Sequence, residues 1–240
     1  MAEHLLVTIG KARFSDSQRH LIPFVNDKFL NDIENTTHAF VLACLMDRQI
    51  KAERAWSIPY RIKDIVGSFN IDDLTSVSLE EYKNIFNRNI LHRFNDIMAE
   101  VFYSAVQDIK VKYNGDASRI WSNKPSSAKV VYEFLQFKGS GKKIATMAAN
   151  ILARQFKIPF SDYYSIDISP DVHILRVMRR TGLVDNNADL DSIIYKAREL
   201  NPEFPGIIDF SCWEIGRTWC RPSNPNCNEC IINSECKKRV

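Results

Sequence analysis

The sequence has few of the features that interrupt helices or leave a chain unfolded. Its 240 residues include only 8 glycines and 9 prolines and no low-complexity tract, so extended disorder is not expected. Runs that alternate apolar and polar residues, which are typical of half-buried strands, are almost absent, and this disfavours a β-sheet protein. No run of about eighteen apolar residues occurs, so we expect no membrane span.

The N-terminal residues lack the basic start of a secretion signal. Residues 1–11 carry a short apolar run behind the acidic Glu3. We therefore expect a protein of a reducing compartment: the cytoplasm, in association with the nucleoid if the source is prokaryotic. In such a compartment thiolates can hold a metal instead of forming disulfides.

Apolar residues recur at helical spacing along most of the chain, and 45% of all residues are hydrophobic. That content can bury one or two cores. The run Thr37–Met46 predicts a buried helix, and Ser78 with Glu81 forms a capping-box pattern that opens another helix. Further helices are predicted at Phe94–Ile109 (with Ile97, Val101, Ala105 and Ile109 on one face), Ala128–Phe137, Lys142–Leu152, His173–Arg180 with Gly182 as its stop, Asp189–Leu200 and Ile207–Arg217. The predicted fold class is all-α.

Positive charge is concentrated in one part of the chain. The formal net charge is +3, which is weak support for a nucleic-acid partner. Between Phe137 and Arg180, however, eight basic residues stand against three acidic ones. A solvated surface is the ordinary interpretation of such a run, and a nucleic-acid contact is the functional one.

Four cysteines close the chain in the pattern C-x6-C-x2-C-x5-C: Cys220, Cys227, Cys230 and Cys236. Four thiolates in so short a segment can hold a cubane iron–sulfur cluster or a tetrahedral zinc ion, and ligand chemistry alone leaves both open. The expected reducing compartment disfavours a pair of disulfides. The other two cysteines, Cys44 and Cys212, are predicted to be buried core residues.

The segment Phe137–Ala145 lies between two predicted helices and contains Gly139 and Gly141. Glycines permit a tight turn and a close approach of the backbone to another molecule. Free N–H groups at the start of the second helix, together with the charge of Lys142, favour contact with a phosphate. The alternative is an ordinary corner between two helices.

Both features resemble the endonuclease III family of helix-hairpin-helix DNA glycosylases. The cysteine intervals match the family's C-terminal cluster loop, and residues Gly139–Lys143 fit its Gly-x-Gly-x-Lys hairpin. The resemblance implies that the four cysteines hold a [4Fe-4S] cluster and that Lys143 is the catalytic nucleophile. A lysine at that position implies a bifunctional glycosylase with lyase activity. The hairpin departs from the family pattern because Phe137 and Lys138 stand where relatives carry Leu-Pro.

The implied chemistry requires a neutral primary amine. Such an amine attacks C1′ of the sugar, displaces the base and forms a Schiff base that supports β-elimination. Lys142 and the positive end of the helix both disfavour the charged form of Lys143. The alternative is that Lys143 is one more phosphate-binding or solvated lysine.

The segment Ser169–Val177 resembles the family's Asp-x-His motif, which implies that Asp171 is the catalytic carboxylate. A carboxylate there can stabilise cationic character at C1′, and it can also cap the following helix. Asp167 is a competing candidate. Lys143 and Asp171 are further apart in sequence than is usual for the family, so we interpret residues 156–168 as an insertion. Its aromatic residues would line the base pocket or form a surface excursion.

The resemblance also implies DNA contacts and a domain organisation. The implied DNA-binding residues are Gly139, Ser140, Gly141, Lys142, Gln49, which would fill the gap left by an extruded base, and Arg221 in the cysteine loop. Residues 37–164 would form a six-helix domain that ends in the hairpin motif. Residues 1–36 and 165–240 would form a second helical domain with the cluster loop at 220–236, and a DNA-binding cleft would separate the two domains.

We therefore expect a monomeric base excision repair DNA glycosylase with AP lyase activity. Its partner would be double-stranded DNA that contains a damaged or mismatched base, flipped out of the helix. The alternatives are a monofunctional glycosylase of the same fold and a non-catalytic, structure-specific DNA-binding protein. The sequence does not identify the base, because pocket residues come from segments whose positions it does not fix.

Overall fold

The computed structural model describes residues 2–16 and 28–238, and the regular structure in these ranges is helical. The helices are α1 (Ala2–Ser15), α2 (Lys28–Asn31), α3 (Thr37–Met46), α4 (Ala52–Val66), α5 (Ile71–Ser76), α6 (Leu79–Arg88), α7 (Asn95–Lys112), α8 (Ser127–Leu135), α9 (Lys142–Arg154), α10 (Val172–Thr181), α11 (Leu190–Leu200) and α12 (Asp209–Thr218). The predicted all-α class is confirmed. Within the described ranges, no helix is both long enough and apolar enough to cross a membrane.

Helix α3 is the centre of the first group of helices. All ten of its residues are buried, as predicted, and it packs against α4, α7 and α9. The ring of Phe40 makes edge contacts with Trp121 and Phe156 at centroid distances of 5.9 and 5.5 Å. A helix that is apolar on every side needs such complete enclosure. The enclosure places Asp47, the residue that follows α3, inside the protein.

Two local sequence signals set helix ends as predicted. The Ser78 hydroxyl accepts a hydrogen bond of 3.1 Å from the Glu81 amide at the start of α6. Gly182 ends α10 in the left-handed conformation, with φ of 78°. The apolar face predicted for α7 is buried at Val101, Ala105 and Ile109, but Ile97 is 55% exposed and Met98 is buried instead. Val101, Ala105 and Ile109 lie at helical spacing from both Ile97 and Met98, so the spacing of apolar residues alone does not show which of the two is buried.

The N-terminal helix packs with the C-terminal helices. Helix α1 contacts α12 and the 3₁₀ turn Pro205–Ile208. A Cβ on Gly10 would lie 2.3 Å from the Ile207 carbonyl oxygen, so this close approach requires glycine. The Lys157 ammonium donates to the carbonyl oxygens of Arg13 and Phe14 at the end of α1, at 3.3 and 3.1 Å. The division into domains at 36/37 and 164/165 stays a prediction.

Residues 156–168 contribute to a cluster of aromatic rings below α1. Tyr163 lies edge-on to Phe14 at 5.2 Å between centroids and stacks on Phe160 at 6.0 Å. Phe204 contacts both Phe14 and Tyr163. Phe160 and Tyr163 therefore fill a core beneath the N-terminal helix, whereas Phe156 packs on Phe40 and Tyr164 is exposed. None of these aromatic residues lines the cleft described below.

Helices α10 and α12 approach closely at Gly216. A Cβ on this residue would lie 2.8 Å from both the Cβ and the carbonyl oxygen of His173. His173 is in the first turn of α10, two residues after Asp171. The absence of a side chain at Gly216 therefore helps to set the position of the start of α10.

We expect Gly216→Ala to lower the free energy of unfolding by about 1–3 kcal/mol, because overpacking against a backbone atom outweighs the better helix propensity of alanine. Chemical denaturation monitored by circular dichroism measures the change. Gly141→Ala is the control, since a Cβ there meets nothing within 4 Å. Equal stabilities of the two variants would contradict the packing argument.

Candidate active site

The predicted hairpin connects α8 to α9. Gly139 adopts φ of +78°, and a Cβ on it would lie 2.7 Å from Cγ2 of Val101, so both conformation and space require glycine. The Ser140 amide donates to the Phe137 carbonyl oxygen at 3.0 Å and closes the turn. Gly141 precedes α9 with open space around its Cα. The hairpin backbone is therefore accessible from outside at the start of α9.

The two adjacent lysines at the start of α9 point to different surroundings. The Lys142 ammonium is exposed and lies 3.5 Å from an Asp191 carboxylate oxygen. The Lys143 ammonium is partly enclosed between two carboxylates. Lys142 is thus placed for an external partner, and Lys143 faces the cleft.

Asp171 uses its two carboxylate oxygens for different contacts. Oδ1 accepts a 2.8 Å hydrogen bond from the His173 amide and caps α10. Oδ2 lies 3.6 Å from Nζ of Lys143. The structure therefore brings Lys143 and Asp171 together, and it assigns His173 a structural position, with its ring 2.8 Å from a guanidinium nitrogen of Arg176.

Asp167, the alternative catalytic carboxylate considered from the sequence, does not line the cleft. Asp167 accepts two hydrogen bonds from the Arg198 guanidinium, at 2.7 and 2.8 Å. This bidentate pair occupies both oxygens of Asp167, so Asp167 is a structural anchor and not an alternative to Asp171.

A second carboxylate beside Lys143 was missed by the sequence reasoning. Oδ1 of Asp47 lies 3.8 Å from Nζ of Lys143. Burial raises the pKa of the Asp47 carboxyl; the charge of Lys143 opposes this shift, and the charge of Asp171 adds to it. An acidic residue directly after an entirely apolar helix, two positions before Gln49, was the available signal.

The electrostatic surroundings of Lys143 differ from the prediction. Lys142 and the helix end were expected to disfavour the charged amine, but the nearest charges are the carboxylates of Asp47 and Asp171. Attack by the lysine nitrogen requires an unshared electron pair, which the ammonium form lacks. A neutral amine at Lys143 therefore requires transfer of its proton to an acceptor, and both carboxylates are close enough to serve.

Lys143, Asp171 and Asp47 lie on the wall of one open cleft with an empty volume of ≈ 600 Å³. Apolar and aromatic side chains supply most of its surface. They are Ala52, Trp56, Met147, Ile151, Ile174, Phe210 and Trp213. Such a cleft, with a few polar groups in an apolar surface, is the usual form of a small-molecule or base site.

Two buried charged residues line the same cleft. Arg154, at the end of α9, is 7% exposed, and Asp209, the first residue of α12, is 8% exposed. Burial raises the pKa of Asp209 to about 6, although the Ser169 amide, which donates to it at 2.5 Å, opposes the shift. Neither residue carried a recognisable sequence signal, because their proximity depends on how α9 and α12 pack.

The remaining predicted DNA contacts lie outside the cleft. Gln49 is exposed, with φ of 55°, and lines a depression next to Lys143 and Asp171. Arg221 is exposed in the cysteine loop, where its Nε donates to the Thr218 carbonyl oxygen at 3.3 Å. Their contacts with DNA stay predictions.

The four C-terminal cysteines surround one small cavity. Its other lining residues are mostly apolar: Val177, Thr181, Ile215, Trp219, Ile232, Asn233 and Lys238. No cysteine forms a disulfide, and Cys44 and Cys212 are buried as predicted. Among residues 2–16 and 28–238, no three Cys, His, Asp or Glu side chains are arranged to hold a single metal ion. The donor set around the cavity is nonetheless all sulfur, which fits a cluster.

Two arginines of α10 hold the cysteine loop. Nε of Arg176 donates to the Cys220 carbonyl oxygen at 2.6 Å. The Arg180 guanidinium donates to the carbonyl oxygens of Arg221 and Pro222 at 2.6 and 2.9 Å, and it lies 3.6 Å from the Cys220 sulfur. One helix therefore carries Asp171 at its start and anchors the cysteine loop near its end.

Comparison with known proteins gives one partial sequence match. No family model matches the sequence. The chain is 30% identical over 105 residues to the endonuclease III of Thermotoga maritima, a stretch that covers 44% of this chain and 45% of that protein. The chain thus aligns with less than half the length of this curated relative.

The fold matches solved structures along nearly its whole length. A trapped endonuclease III–DNA covalent intermediate is similar with a TM-score of 0.66, at 17% identity over 98% of this chain and 94% of the other. A thermostable thymine-DNA glycosylase is similar with a TM-score of 0.64, at 14% identity over 99% and 96% of the two chains. This chain is therefore similar in sequence to an endonuclease III over the aligned stretch, and it has the fold of the helix-hairpin-helix DNA glycosylases, as its sequence predicted.

Proposed function

We propose that this protein is a DNA glycosylase with AP lyase activity that acts on a damaged or mismatched base in double-stranded DNA. The observation that carries the proposal is the 3.6 Å approach of Lys143 Nζ to Asp171 Oδ2 beside an aromatic-walled cleft. A covalent protein–DNA intermediate described for a structural neighbour supports it. The partial match to an endonuclease III adds support from sequence.

In the proposed reaction, the Lys143 nitrogen is first a nucleophile and then part of a Schiff base. The ammonium first gives a proton to a carboxylate, and the neutral nitrogen attacks C1′ of the deoxyribose. The bond from C1′ to the base breaks, and its electron pair leaves with the base, which takes up a proton. Ring opening gives a Schiff base between Lys143 and C1′. Loss of a C2′ proton then expels the 3′ phosphate by β-elimination, and water releases the lysine.

Asp171 and Asp47 are suited to different roles in the proposed reaction. Asp171 is held by the cap of α10, with one oxygen toward Lys143, and it is placed to stabilise positive charge at C1′. Asp47 is more enclosed, and burial raises the pKa of its carboxyl. A carboxylate with a raised pKa is the better proton acceptor, so we assign the transfer from Lys143 to Asp47.

DNA would be held mainly through its phosphates. The open hairpin presents backbone N–H groups at the start of α9, with the exposed Lys142 beside them. Backbone N–H groups at a helix start bind phosphate without reading bases. Gln49 at the rim would occupy the space left by the flipped nucleotide.

Replacement of Lys143 by alanine is expected to abolish covalent capture of DNA. Borohydride reduces a Schiff base to a stable adduct, so the wild-type protein should form one on duplex DNA that contains an abasic site. The Lys143→Ala variant should form none. Denaturing gel electrophoresis of the adduct measures the difference.

Lys142→Ala is the matched control for this experiment, because it removes the neighbouring amine from the same turn. We expect it to weaken DNA binding and to retain the adduct at saturating protein. An unchanged adduct in Lys143→Ala would reassign the nucleophile. Base release without any trapping by the wild type would indicate the monofunctional alternative, and DNA binding without catalysis on a lesion panel would indicate a structure-specific binding protein.

Replacement of Asp47 by asparagine is expected to slow adduct formation about 100-fold at neutral pH, because the variant loses the proton acceptor for Lys143. The deficit should shrink as pH rises, since hydroxide then removes the proton. Single-turnover trapping from pH 6 to 9 measures both effects. Asp191→Asn, which alters the carboxylate beside Lys142, is the control. Equal rates for Asp47→Asn and the wild type would assign the proton transfer elsewhere.

The proposal includes a [4Fe-4S] cluster held by Cys220, Cys227, Cys230 and Cys236. Its support is the position of the four cysteines around one small cavity and their family spacing. With four protein ligands and no open position, such a group would supply a structural cross-link. The residues around it hold the loop in place through Arg176 and Arg180.

Purified protein is expected to absorb broadly in the visible range and to contain about four iron atoms per chain. Cys230→Ala should lose most of this absorbance and iron. Cys212→Ala, which removes a buried cysteine outside the loop, should retain both. A colourless protein with one zinc ion per chain would contradict the cluster and favour the zinc alternative.

A further inference from the structure

Arg154 has an unusual environment for a buried cation. It lies at the C-terminal end of α9 and lines the cleft beside which Lys143 and Asp171 meet. Its Nε donates to Oδ1 of Asn150 at 3.2 Å. Among the residues that the structure describes, its terminal nitrogens have no hydrogen-bond partner, and no carboxylate lies within ion-pair distance. These N–H groups therefore remain as donors for an occupant of the cleft.

The guanidinium is held in place although its donors are unused. Its central carbon lies 4.1 Å from the centroid of the Phe210 ring, which is a favourable cation–π position. Asn150 is itself fixed by a 2.7 Å hydrogen bond from its amide to the Gly206 carbonyl oxygen. A cation that is fixed in position and still has N–H groups free to donate hydrogen bonds is typical of a recognition site.

Burial of an incompletely bonded cation is costly in free energy. Burial lowers the pKa of Arg154 to about 10, and the charge of Asp209 opposes this shift. Arg154 thus stays charged at neutral pH. A protein retains such a group most readily where a ligand completes its hydrogen bonds.

Asp209 supplies an acceptor in the same part of the cleft. It lines the cleft together with Arg154, and its Oδ1 accepts from the Ser169 amide. With a pKa raised to about 6 by burial, it is mostly ionised above pH 7. The cleft therefore offers a donor from Arg154 and an acceptor from Asp209 side by side.

Helix α9 places this pair at a suitable distance from the proposed nucleophile. Lys143, Met147, Ile151 and Arg154 all line the cleft, and their spacing corresponds to one helix face. Lys143 and Arg154 are about three turns apart, or ~16 Å along the axis. Because the cleft continues along this helix face from Lys143 to Arg154, a base attached at C1′ near Lys143 would extend toward Arg154.

We propose that Arg154 is a specificity-determining residue that selects bases with a carbonyl oxygen next to a ring N–H. Arg154 donates to the carbonyl oxygen, and Asp209 accepts from the N–H. The substrate class is therefore bases with a lactam or imide edge, both pyrimidines and purines. This inference rests on the proposed glycosylase function.

The same arrangement disfavours bases with an amino group on that edge. Cytosine and adenine derivatives would direct an NH₂ donor at the Arg154 donors and a bare ring nitrogen at the Asp209 carboxylate. Each mismatch leaves buried polar groups unpaired, and a site built from hydrogen bonds discriminates strongly on that basis.

The test compares excision of bases that differ in this edge. Base pairing also differs within each pair, and since it is the same for every protein variant, the change in preference between the wild type and the Arg154 variants isolates the contribution of Arg154. 5-Hydroxyuracil and 5-hydroxycytosine, each opposite guanine, form the pyrimidine pair; hypoxanthine and adenine, each opposite thymine, form the purine pair. Single-turnover base release is measured for the wild type, Arg154→Met and Arg154→Lys. Cleavage of a preformed abasic site is measured in parallel, because that substrate has no base to read.

We expect the wild type to prefer the lactam member of an excised pair. Arg154→Met should lower excision of that member about 10- to 100-fold, Arg154→Lys should lower it less, and both should cleave the abasic site at the wild-type rate. Retained abasic-site cleavage also establishes that a variant is folded. Should Arg154→Met lose that activity, the Arg154→Lys comparison decides.

Two results would overturn the inference while leaving the proposed function intact. One is equal excision of both members of each pair by the wild type. The other is an unchanged preference in a variant of Arg154 that still cleaves abasic sites. Absence of both excision and abasic-site cleavage in the wild type would instead remove the proposed function.

Discussion

The contact that organises the candidate site is the enclosure of the Lys143 ammonium between two carboxylates, at 3.6 and 3.8 Å. Three segments must meet to form it: the end of α3 supplies Asp47, the start of α9 supplies Lys143, and the cap of α10 supplies Asp171. The burial of α3 fixes the first segment, and the hairpin fixes the second. Charges gathered from separate segments at low exposure are typical of sites where protons move.

Features set by neighbouring residues could be predicted from the sequence. The cap of α10 at Asp171 depends on residues 171–173, and the hairpin depends on Gly139 and the residues after it. Both are local, so the residue types at their spacing carry the information. The resemblance to a family then indicated which lysine and which aspartate to consider together, and the structure places the two side chains in contact.

Features set by packing could not be predicted in this way. Arg154 and Asp209 are far apart in sequence, and each alone has the appearance of an ordinary polar residue. Asp47 follows an entirely apolar helix, but its approach to Lys143 depends on how α3 and α9 pack. The basic segment illustrates the same limit: Lys157 binds the end of α1, and Arg176 and Arg180 bind the cysteine loop, so much of that charge is structural. A count of charges along a chain does not distinguish cations that face a partner from cations that hold carbonyl oxygens.

Helix α10 joins the two chemically distinct parts of the protein within ten residues. Its first turn presents a carboxylate to the amine, while Arg176 and Arg180 hold the backbone around Cys220. A helix of this length is a stiff rod of ~15 Å. A displacement of the cysteine loop would therefore act through this rod on the position of Asp171, so the geometry of the candidate site and the integrity of the thiol-rich loop are mechanically linked.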